Sequence, residues 1–168
     1  MVPRPLLVVL TCALAAAAAC GPGLDLPTAL AVTNVDTGFY DNGVKDSKNY
    51  LVPSISFVLE NKTADSVSSV QVLVSFWKNG DDGEWDSKTV AGIDSHGLAA
   101  GKGTIPILVR CPIGYTLEGA RADFFQHSLF QDVTVKIFGQ HRGTSAKLGE
   151  FKIERRIIAH SLTTPGRP

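Results

Sequence analysis

The chain has 168 residues, 44% of them hydrophobic, and its 16 basic and 16 acidic side chains give a formal net charge of zero. Lys and Arg are scattered, with Arg155-Arg156 the only basic pair in the body, so no positive field exists for nucleic acid. Three cysteines, two of them within the first 20 residues, exclude a disulfide framework and a thiolate zinc site.

The N-terminal stretch has the three parts of a secretory signal. Met1-Val2-Pro3-Arg4-Pro5 is a short basic segment, Leu6 to Ala19 is an apolar run of about 14 residues, and small residues close it. A bilayer-crossing helix needs roughly 20 residues, so a permanent span is not expected. Ala17-Ala18-Ala19-Cys20 resembles the lipobox of bacterial lipoproteins, with Cys20 as the first mature residue. The resemblance implies acylation of Cys20 and a lipid anchor in the cell envelope. Gly21 after the cysteine, where aspartate would act as a retention signal, implies the periplasmic face of the outer membrane. Ala17-Ala18-Ala19 also fits ordinary A-x-A cleavage, which would leave Cys20 at the start of a soluble secreted chain.

Removing residues 1–19 leaves about 149 residues, the size of one domain with a real core. The expected divisions are a signal peptide over 1–19, the lipidated cysteine with a flexible tether over 20–28, a folded body over 29–160 and a disordered tail over 161–168. Gly21, Pro22, Gly23 and Pro27 make the tether extended.

Within the body the dominant period is two. A first run spans Ala29 to Val35. Ile55, Phe57 and Leu59 then alternate with Ser54, Ser56 and Val58, and Val70, Val72, Val74 and Phe76 alternate with Gln71, Leu73, Ser75 and Trp77. Such alternation predicts strands with one face on a core. A short strand is expected over Trp85 to Val90, and Pro106 marks Thr104 to Val109 as an edge strand. Val133, Val135 and Ile137 form another face, and Phe151, Ile153 and Ile157 the last. Turn residues separate these runs at Asp41-Asn42-Gly43, Asn61 to Asp65, Asn79 to Gly83 and Gly101-Lys102-Gly103.

About seven strands in one domain predict an all-β fold, an antiparallel β-sandwich of immunoglobulin (Ig) type. Pro53-Ser54-Ile55-Ser56-Phe57 with Glu60-Asn61, then Val70 to Phe76, then Leu98-Ala99-Ala100-Gly101 resembles the FxLYD-type Ig-like domains of bacterial envelope proteins. The stretch from Cys111 to Gln131 breaks the alternation, and the spacing of Phe125 and Leu129 predicts a helical turn in a long connection. Its aromatics either plug the core or form a patch for a partner.

No catalytic constellation emerges. His96, His127, His141 and His160 show no metal-binding spacing, and Asp94-Ser95-His96 are too close in sequence for a proton relay. Gly83 interrupts the calcium-loop spacing of Asp81, Asp82, Glu84 and Asp86. Gly101-Lys102-Gly103-Thr104 lacks the rest of a phosphate loop, and Asn61-Lys62-Thr63 is a glycosylation sequon with no meaning in a bacterial cell. Cys111 has no neighbouring motif that would activate its thiol and is expected to be buried and inert. Neither an enzyme nor a cofactor site is therefore expected.

The expected function is a lipid-anchored envelope protein that binds a protein partner or stabilises an envelope assembly. The alternative is a module for a glycan or small apolar molecule, contacted through Trp77, Trp85, Phe124 and Phe125. Trp77 and Trp85 flank one hairpin and either pair across it or present an aromatic platform.

Overall fold

The computed structural model describes residues 24–158. The leader, Cys20, the first part of the tether, His160 and the 161–168 tail lie outside them.

Two packed sheets form the body, with nine strands among the described residues rather than seven. In chain order they are β1 (Leu30–Lys45), β2 (Lys48–Asn61), β3 (Val70–Lys78), β4 (Asp86–Ile93), β5 (Ile107–Arg110), β6 (Tyr115–Leu117), β7 (Val133–His141), β8 (Thr144–Lys152) and β9 (Ile157–Ile158). One sheet has the order β5-β2-β1-β9, with β6 also pairing β2; the other has the order β4-β3-β7-β8. Every pairing is antiparallel except the short parallel contact of β1 with β9.

The period-two faces meet as the sequence predicts. Ile55, Phe57 and Leu59 of β2 pack in one core with Val72, Val74 and Phe76 of β3 and Val133, Val135 and Ile137 of β7, all fully buried. Each such side chain contributes roughly 1.5–3 kcal/mol by leaving water. Two serines of the water-facing set are buried instead: the Ser54 hydroxyl donates to Gly38 O (3.1 Å), and the Ser75 hydroxyl donates to Glu84 Oε2 (2.6 Å). The strand with Pro106 before it, β5, sits at a sheet edge against β2.

Three boundaries differ from expectation. First, the segment through Thr28 is not extended throughout: Leu26–Ala29 forms one helical turn, α1, with a proline in its first turn. Leu26 is buried in the core beside β7 and β8, so apolar burial overrides the breaker residues here. Second, Asp41-Asn42-Gly43 is a bulge inside β1 and not a turn. Gly43 takes φ +84° and its N–H donates to Asp41 Oδ1 (3.0 Å), while the chain reverses at Asp46 (φ 51°) and Ser47 (φ 62°).

Third, Phe151, Ile153 and Ile157 do not share one strand. β8 ends at Lys152, and the chain crosses to the other sheet to form β9. Thr37 of β1 pins the crossing: its hydroxyl donates to Lys152 O (3.2 Å) and accepts from Glu154 N (3.1 Å), and Arg156 Nε donates to Thr37 O (2.8 Å). Apolar periodicity runs on through this segment because both sheets point inward, which hides the break.

The register gives the sandwich two poles. At the entry pole, where the described chain begins, Leu30 pairs Asn61 and Gln71 pairs Gln140. At the far pole Tyr40 pairs Val52 and Lys78 pairs Val133. From Leu30 to Phe39, β1 covers about 30 Å at roughly 3.3 Å per residue.

Candidate functional site

An aromatic cluster closes the far pole. Phe39 of β1 is fully buried at its centre, with ring centroids 5.3, 5.4 and 5.5 Å from Phe124, Phe125 and Phe130, all edge to face. Tyr115 of β6 lies 5.6 Å from both Phe124 and Phe130, and 4.9 Å from Trp85. Offset and edge-to-face aromatic pairs each contribute about 0.5–1.5 kcal/mol beyond the area they bury, so the cluster is a rigid platform.

The connection that supplies these rings contains the expected helical turn, a 3-10 helix over Arg121–Gln126. Beyond it the chain folds back on itself: His127 N donates to Phe124 O (3.3 Å) and Phe130 N to His127 O (2.9 Å). His127 Nδ1 accepts from Leu129 N (3.2 Å). This tight path turns Phe124 and Phe130 inward and throws Leu129 outward, where it is 76% exposed. Tyr115 Oη donates to Gln131 O (3.0 Å) and closes the loop; burial pushes its phenol up to about 12. A shallow cleft of about 220 Å³ remains between Tyr115, Leu117, Phe124, His127, Leu129 and Phe130, with Ile113 also exposed nearby in sequence.

The four aromatic residues singled out from the sequence divide. Trp85, Phe124 and Phe125 converge through Tyr115 and Phe39, with Phe124 buried and Phe125 half-buried. Trp77 stands apart. Its Nε1 donates to Ser75 Oγ (2.6 Å), and Lys136 Nζ sits 3.7 Å from its ring centroid. Trp85 instead carries Lys78 Nζ at 4.3 Å. Among the described residues no ring contact joins the two indoles, so they neither pair nor share a platform. Phe39 was not a sequence candidate, because it precedes Asp41-Asn42-Gly43 and reads as the start of a turn.

The remaining polar candidates disperse. Asp81, Glu84 and Asp86 turn to Gln131 Nε2, Ser75 Oγ and Ser87 N respectively. Asp94 accepts from the backbone N–H groups of His96 and Gly97, which holds its carboxyl below the usual range. No group of three or more His, Cys, Asp or Glu side chains able to hold a metal occurs among the described residues. Cys111 is buried, and desolvation pushes its thiol up to about 12.

Asn61 of the sequon is fully buried. Its amide donates to Asp65 O and Leu98 O (2.8 Å each), and its Oδ1 accepts from Thr63 N (2.9 Å) and Thr63 Oγ1 (2.8 Å). Both amide protons are committed, so the residue locks two loops of the entry pole together. No family model, curated protein or solved structure matches the chain.

Proposed function

We propose that the chain is an exported lipoprotein, acylated at Cys20 and held on the periplasmic face of the bacterial outer membrane, whose sandwich is a protein-interaction module. The carrying observation is polarity: the chain enters the sandwich at one end, and the aromatic cleft with Leu129 at its rim lies about 30 Å away at the other. A short anchor at the entry pole turns the far pole toward the periplasm.

The strand order supports an Ig-like reading of the sandwich. Counting β1, β2 and β5 as strands A, B and E, and β4, β3, β7 and β8 as C′, C, F and G, gives neighbours in the Ig-like order, with no counterpart of strand D and with β6 and β9 as additions. Size favours a protein partner over a small ligand. The cleft holds about 220 Å³, below the roughly 300–1,000 Å³ of pockets that enclose small molecules. Exposed Leu129 extends the aromatic floor into an apolar surface open to a partner.

Photo-crosslinking in living cells tests this reading. A photoreactive residue at Leu129 is expected to give a discrete adduct with one envelope protein, and the same residue at Lys102, on the entry pole, is not. Equal adducts from both positions, or none from Leu129, would refute it.

A further inference from the structure

We propose that a second site, at the entry pole, binds a phosphate ester. It is a groove of about 360 Å³ between the β7–β8 turn and the segment before β3. Its walls include Ser69, Gln71, Gln140, His141, Arg142 and Thr144, and no carboxylate lines it. Hydroxyls, amide groups and one guanidinium form a donor-rich surface suited to a tetrahedral anion, and Arg presents a fork that matches phosphate geometry.

Two independent features single out Arg142. The first is its lack of a partner. Arg121, Arg155 and Arg156 pair with Asp41, Asp132 and Asp36, and Arg110 stacks 3.4 Å from the Tyr40 ring centroid. Arg142 alone among the described arginines has neither an ion pair nor a ring contact. The second is its backbone. Arg142 (φ 47°) and Gly143 (φ 80°) form the two-residue turn between β7 and β8, a conformation that favours Asn-Gly and disfavours a long side chain at the first position. Ser69, on the facing wall, is also left-handed (φ 57°). Both walls of the groove therefore carry a polar side chain on left-handed backbone. His141 spans the groove with Nδ1 at 3.3 Å from Ser69 O. A carbonyl only accepts, so Nδ1 donates to it and ties the two walls of the groove together.

The location suggests the source of the phosphate. α1 packs against β7 and β8, and Leu26 Cδ1 approaches within 3.5 Å of the Cβ position of Gly139, two residues before His141. Three residues lie between Cys20 and Leu24, so the four steps span at most about 14 Å. An acylated Cys20 therefore holds the groove at headgroup level, and a lipid phosphate is its ligand. That choice of source rests on the anchoring proposed above, whereas the chemistry of the groove does not.

The test is an amide chemical-shift titration of the full chain in an uncharged detergent at constant ionic strength. The probes are glycerol 3-phosphate, dihexanoyl phosphatidylglycerol and, as control, sodium chloride. Saturable shifts confined to Ser69 and Gln140 to Ser145 are expected with a phosphate and not with chloride. Tighter binding of the phosphatidylglycerol identifies a lipid source, and tighter binding of glycerol 3-phosphate a soluble ester. Arg142→Asn should weaken binding by about ten-fold or more, while the melting temperature stays level or rises because Asn-Gly suits the turn. Arg142→Lys should retain part of the affinity. Absence of saturable shifts with either phosphate, or undiminished binding by Arg142→Asn, overturns the proposal. An unmodified Cys20 would undo only the lipid source, leaving glycerol 3-phosphate binding intact.

Discussion

Asn61→Ala offers the sharpest test of how the entry pole is held together. The substitution removes four side-chain hydrogen bonds from a fully buried site, to Asp65 O, Leu98 O, Thr63 N and Thr63 Oγ1. The backbone bonds of Asn61, to Lys102 O and from Gly101 N, survive. So does part of the carbonyl satisfaction: Leu98 O still accepts from Val67 N, and Asp65 O from Thr63 Oγ1. At about 1 kcal/mol net for each lost bond, reduced by these remaining partners, the loss is about 3 kcal/mol. That is a large share of the roughly 5–15 kcal/mol that holds a domain folded. The melting temperature should fall by about 10 °C. Urea unfolding followed by tryptophan fluorescence reads the loss, since Trp85 is packed against Tyr115 only in the folded state. Lys62→Ala, at the next position and bonded to Glu60 on the surface, should change stability by less than about 0.5 kcal/mol. An Asn61→Ala loss below about 1 kcal/mol would refute the view that this residue locks the loops.

Two further outcomes follow from the chemistry of single groups. With its thiol buried and pushed up to about 12, Cys111 should resist a thiol reagent in the folded chain and react at the rate of unfolding; rapid native labelling would contradict its burial. Asp132 is held below its usual 3.8 first by the Arg155 hydrogen bond, with attraction from Arg155 and Lys152 adding to it. Because the folded state holds this proton less tightly than the unfolded chain, the stabilisation is full above the unfolded value and is lost as pH falls through the folded one. Urea midpoints from neutral pH to about pH 3 should therefore drop at the acid end, and drop less in Asp132→Asn. Equal acid sensitivity in the two proteins would count against this.

The legible part of the fold was the part governed by burial on one face. Ile55, Phe57, Leu59, Val72, Val74 and Phe76 alternate because one side of each strand meets the core, and period two reports that directly. Chain reversals were less legible. Asp41-Asn42-Gly43 has turn chemistry, yet a bulge uses the same left-handed glycine, and the pairing of β1 with β2 decides between them. Ile153 and Ile157 kept the strand rhythm across a change of sheet, a break held by long-range bonds from Thr37 that no local pattern records. At the far pole the sequence identified Trp85, Phe124 and Phe125 but joined them to Trp77, because residue type does not say which face a ring takes. Phe39 reads as the start of a turn, and its ring partners lie 76 to 91 residues further along the chain, so no local pattern marks it. The groove at the entry pole had no sequence motif, since its donors come from Ser69 and a hairpin turn brought together only by the pairing of β3 with β7.

The proposed anchor, which would turn the aromatic pole outward, is tested most directly at the mature N terminus. Intact-mass and peptide mass spectrometry of the chain purified from envelope membranes should find Cys20 as the first residue, carrying a diacylglyceryl group and leaving Cys111 as the single free thiol after denaturation. An unmodified Cys20, or a chain that retains residues 1–19, would contradict it.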